Sequence, residues 1–168
     1  YYAGINNTTS WNFTTGDYTP PTAPGTPVPN ASHINNLTPT WTWDASVETG
    51  SGIEQYLLKW SQNSDCNGGF NTGTGGNSYT IPDGLLTEGT WYFCAAARDN
   101  AQNDSGYSLP GRVTIDTTPP VLTAVTPITS PVTTTSATYY FSASEIGTYY
   151  LDFCGASSQA AVSPGSSV

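Results

Sequence analysis

Between Gly89 and Asn103 the chain reads Gly-Thr-Trp-Tyr-Phe-Cys-Ala-Ala-Ala-Arg-Asp-Asn-Ala-Gln-Asn. Trp91, Phe93, Ala95 and Ala97 share one phase of a two-residue alternation, and Tyr92, Cys94, Ala96 and Arg98 share the other. That is the pattern of a strand with one buried face. The stretch begins after a Thr-Glu-Gly turn and ends in Asp, Asn and Gln, so both boundaries carry turn chemistry. It is read as the central core strand.

The same alternation recurs on either side. Trp41 and Trp43 share a face in Pro39 to Asp44, and Tyr56, Leu58 and Trp60 share one in Ile53 to Ser61. A Gly/Asn-rich loop holding Cys66 leads to a short strand at Ser78 to Ile81, and Tyr107 to Asp116 reads as a closing strand. Counting a proline-rich edge, the pattern gives about six or seven short strands at sandwich spacing. No stretch carries helical periodicity. Two proline-rich segments bound this block: Thr19 to Pro29, with Pro20, Pro21, Pro24, Pro27 and Pro29, and Asp116 to Pro120. Both read as stiff, extended linkers.

Outside the linkers lie two partial patterns. Residues 1 to 18 offer one strand, in which Trp11 and Phe13 alternate with Asn12 and Thr14 and have no local partner. Beyond Pro120, Val121 to Pro127, Ala137 to Ala143 and Gly147 to Phe153 read as strands, with Tyr139, Phe141, Tyr149, Leu151 and Phe153 facing inward. About fifty residues are short for a complete sandwich, so this unit is expected to lack its last strands.

Composition narrows the setting. Charged residues make up 9% of the 168, aromatics 12%, and the net charge is -9. Few charges with ample aromatics fit an extracellular β protein better than a cytosolic enzyme or a disordered tail. Lys59, Arg98 and Arg112 are the only basic side chains, too few to neutralise a nucleic-acid backbone or to hold an anionic membrane surface. No apolar run approaches the length of a helical bilayer span, so no membrane insertion is expected. The chain opens at Tyr1 with neither a methionine nor a leader-like segment, and is expected to be a mature or excised piece of a longer protein.

Catalytic chemistry is hard to assemble from these residues. His33 is the single histidine and lies in a polar loop beside Ser32 and Asn35, so a Ser-His triad has one possible base and no orienting pattern. Asp44, Glu48, Glu54 and Glu88 sit at turns and strand ends without a spacing that selects a glycosidase pair. A non-enzyme is expected. Asp99, Asn100, Asn103 and Asp104 follow the core strand and Asp116 opens the next junction. Calcium, which takes six or more oxygens, is the candidate ligand of Asp99, Asp104 and Asp116, against plain loop polarity. Six Asn-X-Ser/Thr sequons, at Asn6, Asn7, Asn12, Asn30, Asn36 and Asn103, read either as glycan acceptors in a glycosylating host or as polar loops. Tyr92 and Tyr107 are the outward aromatics on which a surface glycan could stack, the basis of an alternative reading as a carbohydrate-binding or accessory module of a secreted hydrolase.

Several motifs agree in order with one known family. Pro-Gly-Thr-Pro at 24 to 27, Trp43, Gly-Ser-Gly-Ile-Glu-Gln-Tyr at 50 to 56, Gly-Thr-Trp-Tyr-Phe from 89 and Ala-Arg-Asp-Asn-Ala-Gln-Asn to 103 resemble a bacterial extracellular fibronectin type III domain. Ser-Trp-Asn-Phe-Thr-Thr-Gly-Asp at 10 to 17 resembles the last strand of a bacterial Ig-like domain, and Asp-Thr-Thr-Pro-Pro at 116 to 120 resembles the junctions between repeated Ig-like modules of surface proteins. The resemblance departs from the family at Ala95 and Ala97, a larger aliphatic being usual at the first; Trp41, Trp60 and Trp91 are expected to fill the volume. It implies an all-β tandem sandwich: residues 1–18 the terminal strand of a preceding Ig-like domain or a donor strand, 19–118 a fibronectin type III-like domain, and 119–168 an incomplete Ig-like domain. Such a segment would be extracellular or at the cell surface, in a fibre, stalk or adhesin.

Three cysteines suggest one disulfide and one remainder. In a fibronectin-like sheet the strand ending near Ser61 neighbours the one carrying Cys94, so the resemblance implies a Cys66–Cys94 bridge and leaves Cys154 a partner outside this chain. The two ragged ends admit two readings. They are pieces of flanking domains of one long chain, or the strand with Trp11 and Phe13 completes residues 121–168 of another copy, a head-to-tail contact that propagates as a filament.

Overall fold

The Trp-Tyr-Phe alternation builds the longest strand of the structure, Gly89–Asp99, and the first unit pairs around it. The computed structural model describes residues 16–126, 140–151 and 160–162, and the chain divides into two compact units, Tyr1–Thr117 and Thr118–Val168. The described residues contain strands and no helix.

In the first unit the strands are β1 (Val28–Pro29), β2 (His33–Ile34), β3 (Thr40–Thr42), β4 (Ile53–Ser61), β5 (Phe70–Thr74), β6 (Ser78–Thr80), β7 (Gly89–Asp99) and β8 (Gly111–Ile115). They form a three-stranded sheet in the order β1-β3-β6 and a five-stranded sheet in the order β2-β8-β7-β4-β5. All neighbours are antiparallel except β2 and β8, which run parallel with His33 opposite Thr114. This is the strand arrangement of an Ig/fibronectin type III-like β-sandwich, with the core between two sheets.

The core is aromatic. Trp41, Trp43, Tyr56, Leu58, Trp60, Ile81, Trp91, Phe93, Val113 and Ile115 are buried in one cluster. Phe93 is its hub: Trp41 stacks on it at 5.0 Å and Trp60 at 6.0 Å. Small residues on β7 meet large ones on β4, Ala97 opposite Tyr56 and Ala95 opposite Leu58, and Trp43 packs edge-on against Tyr56 at 5.4 Å. The volume vacated at Ala97 is thus bordered by Tyr56 and Trp43. The indole N–H of Trp91 donates to the Thr87 carbonyl at 2.9 Å, whereas those of Trp41, Trp43 and Trp60 are buried without a partner among the described residues. Such a donor costs about 1–3 kcal/mol, less than the about 4–6 kcal/mol that burial of a tryptophan's surface contributes.

Four sequence expectations need correction. The proline segment is no free linker: Pro21, Pro24 and Pro27 are buried, a three-residue period that presents one side of an extended polyproline chain. Thr22 N donates to Val47 O and Gly25 N to Asp44 O, which holds it against the unit. The Cys66 loop is followed by a strand, β5, paired along β4 from Tyr56–Thr74 to Trp60–Phe70. The closing strand is shorter than Tyr107 to Asp116 and starts at Gly111. Before it, Ser105 and Ser108 take over the ladder, each donating its N–H to β7 (to Ala97 O and Ala95 O) and accepting the N–H of the same β7 residue on its hydroxyl. Finally, the outer phase of β7 is not open, since Cys94 and Ala96 are also buried.

In the second unit β9 (Leu122–Thr126) pairs with β10 (Tyr140–Ala143), and β11 (Tyr149–Leu151) with β12 (Ala160–Val162). β12 lies beyond the last strand that the sequence pattern marked. Phe141 and Tyr149 form a small buried cluster with Ala143, their rings edge-on at 6.0 Å, and the Tyr149 hydroxyl donates to the Glu145 carbonyl. Tyr139 and Phe153 lie outside the described residues.

Candidate functional site

The polar chemistry of the first unit gathers at its two poles. β7 is 11 residues long, roughly 35 Å of extended chain, and its ends mark the poles.

At the pole where β7 ends, Asp17 fastens the incoming chain. Its Oδ2 accepts the Ser51 N–H at 2.8 Å and its Oδ1 the Thr19 N–H at 3.0 Å. Its carbonyl accepts from Asn103 Nδ2 at 3.1 Å. Asn103 is held in turn by Asp99, whose Oδ1 takes the Asn103 N–H and whose Oδ2 takes Nδ2, both at 2.8 Å. Gly50 makes room for this arrangement, because a Cβ there would displace the Asp17 carboxylate. The N–H groups of Thr19 and Ser51 favour the ionised form and lower the Asp17 pKa from its ordinary value. Asp17, Glu48 and Asp99 bring one carboxylate oxygen each within 4.8 Å of one another, beside an open depression of about 660 Å³ lined by Gly16, Tyr18, Asn100 and Ala101. Glu48 accepts the Gly50 N–H at 2.6 Å, so each of the three carboxylates is already bonded within the fold.

At the opposite pole, where β7 begins, Glu88 fastens the departing chain. Its Oε1 accepts both the N–H of Thr117, at 2.9 Å, and the Thr117 hydroxyl, at 2.5 Å. Asp116, one residue before, donates its N–H to the Ile34 carbonyl and borders a shallow hollow of about 430 Å³ with His33, Asn35 and Asn36.

The three aspartates singled out for calcium therefore do not converge. Asp99 is fully buried and bonded to Asn103. Asp104 makes a two-pronged pair with Arg98, Nε to Oδ1 at 2.6 Å and Nη2 to Oδ2 at 2.8 Å; the guanidinium lowers the Asp104 pKa and the carboxylate raises that of Arg98. Asp116 is at the other pole, beyond Ile115, which pairs with Gly89 at the start of β7. Asp17 and Glu48 carry no local sign of being partners of Asp99, since the three are distant in the chain.

On the outer face of the five-stranded sheet, Cys66 and Cys94 form a disulfide with Cα atoms 6.2 Å apart. Lys59 stands opposite Cys94, donates to Asn67 Oδ1 at 2.9 Å and lies 4.1 Å from the centre of the Tyr107 ring. One side of that ring is thus occupied, and partial burial raises the Tyr107 pKa. Tyr92 is only half-exposed, opposite Arg112. His33 is exposed, its Nδ1 3.2 Å from the neighbouring Ser32 hydroxyl, and Glu54 accepts from Gln102 at 2.9 Å. Trp11, Phe13 and Cys154 lie outside the described residues.

Comparison with known proteins adds likenesses of fold. The sequence matches no family model and no curated protein. Among solved structures, titin module A71 from human cardiac muscle is similar at 25% identity over 55% of this chain and 89% of its own, with a TM-score of 0.44. An Fn3-like protein from Clostridium thermocellum is similar at 24% identity over 57% of this chain and 91% of its own, TM-score 0.38. The fibronectin type-III domain of human fibronectin type III domain containing protein 3 shows 18% identity over 61% and 92%, TM-score 0.43.

Proposed function

We propose that this chain is a non-enzymatic structural segment of a secreted or cell-surface fibre, stalk or adhesin. In this reading residues 1–18 are the terminal strand of a preceding Ig-like domain or a donor strand, 19–118 a fibronectin type III-like domain and 119–168 an incomplete Ig-like domain. The observation that carries the reading is the pair of clamps. The chain arrives at one pole of the first unit, fastened by Asp17 to Ser51, and departs from the other, fastened by Glu88 to Thr117. A module tied at opposite ends suits serial, end-to-end projection. The buried disulfide suits an oxidising, extracellular compartment.

In this reading assembly proceeds either within one long chain or between copies, through strand addition by the segment holding Trp11 and Phe13. Exposed apolar side chains on β9 and β10, Leu122, Val125 and Tyr140, support a partner for that unit. Immunogold labelling of the source cells with antibody to the first unit, with electron microscopy of the isolated full-length protein, tests the proposal. External label on thin, beaded rods is expected. Label confined to the cell interior, or polysaccharide binding lost in Y92A or Y107A, would replace it.

A further inference from the structure

We infer that Asn36 is an N-glycan acceptor in the folded protein and that Asn103 is not, although both lie in sequons. The distinction rests on what each side-chain amide and each hydroxyl two residues later is bonded to.

Transfer of a glycan needs a free amide nitrogen on an accessible residue. The anomeric carbon of a lipid-pyrophosphate-linked oligosaccharide bonds to Nδ2, its bond to the pyrophosphate oxygen breaks, the lipid pyrophosphate departs, and one amide proton passes to the transferase's base. Asn36 meets the requirement. It is exposed, in the connection between β2 and β3. Its Oδ1 accepts the N–H of Thr38 at 3.0 Å and the Thr38 hydroxyl at 3.3 Å. The side chain is thereby held by its oxygen, and among the described residues Nδ2 has no partner.

Asn103 fails it at the amide. Its Nδ2 donates to Asp99 Oδ2 at 2.8 Å and to Asp17 O at 3.1 Å, so glycosylation would break the clamp on the incoming chain beside a buried carboxylate. The sequon hydroxyl of Ser105 is also engaged, accepting from Ala97 N at 2.8 Å. Asn30 is intermediate. Its Nδ2 has no partner among the described residues and its Oδ1 accepts from Thr40 N at 3.4 Å, but the Ser32 hydroxyl is paired with His33 Nδ1 at 3.2 Å instead of with its own sequon asparagine.

The location gives the modification a use. Asn36 and Asp116 line the same hollow, next to the point where the chain leaves the unit through Thr117. A glycan there would stand at the root of the proline-rich junction.

The test uses the folded, disulfide-intact chain, a purified oligosaccharyltransferase and a lipid-pyrophosphate-linked donor that together glycosylate synthetic peptides of all three sequons. Mass spectrometry of the digested product reads occupancy at each site. The expected order is Asn36 above Asn30, with Asn103 at background and the adduct at Asn36 abolished by N36Q. Asn36 left unmodified, or Asn103 occupied as fully as Asn36, would overturn it.

Discussion

Gly111, the first residue of β8, lies directly against the carbonyl of Pro27 in the proline segment, and a Cβ at this position would run into that oxygen and come 2.7 Å from the Trp41 ring. The close approach of the proline segment and the Trp41 ring explains a glycine at the start of a strand. G111A is therefore expected to destabilise the first unit by about 3 kcal/mol or more, the overpacking penalty where neither backbone nor a buried indole can yield. Urea denaturation followed by tryptophan fluorescence measures it; a loss under about 1 kcal/mol would mean that the sheets part easily.

The Cys66–Cys94 bridge spans 28 positions of sequence. Chain-entropy arguments give such a loop about 3 to 4 kcal/mol of stabilisation through the unfolded state. The C66A/C94A double variant should lose that amount and remain folded, because the core on the other face of β7 is independent of the sulfurs. Equal stability of the variant and the parent would show that the bridge is incidental.

Acid should release the clamp at Asp17. Its pKa is lowered in the folded chain from an ordinary 3.8, so its contribution is complete above that value and disappears as the pH falls through the lower folded one. Glu48 and Asp99 are its carboxylate neighbours. The Ser51 amide resonance is expected to shift with a midpoint below 3.8, and the shift should vanish in D17N. A midpoint at or above the ordinary value would contradict the bonding described.

If copies assemble by strand addition, the double variant W11A/F13A should abolish large species in analytical ultracentrifugation while leaving the first unit's melting temperature unchanged. Unaltered assembly would leave the flanking-domain arrangement within one chain as the operative form.

Much of the first unit was legible because its signals are local. Trp91 and Phe93 announce a buried face, and Tyr56, Leu58 and Trp60 announce the strand beside it; both strands appear at the expected positions. β5 was illegible, since Asn71 and Gly73 carry no apolar alternation and the strand exists because β4 offers an edge to pair with. The serine-mediated edge at Ser105 and Ser108 looks in sequence like any polar loop. Asp17 was least legible of all: it reads as the last turn of a preceding strand, and its partner Ser51 is 34 residues away. Local pattern exposes burial, whereas polar fastenings between distant loops leave no periodic trace.

The parallel pairing of β2 with β8 has a mechanical consequence. Tension applied between the point of arrival at Asp17 and the point of departure at Thr117 draws β2 toward one pole and β8 toward the other. The bonds from Thr114 N to Ser32 O and from Asp116 N to Ile34 O are then loaded side by side, in shear, so neither can unzip ahead of the other. Behind them, residues 66 to 94 are closed into a loop by the disulfide and cannot pay out as slack, which limits how far the unit lengthens after its first strands have slipped.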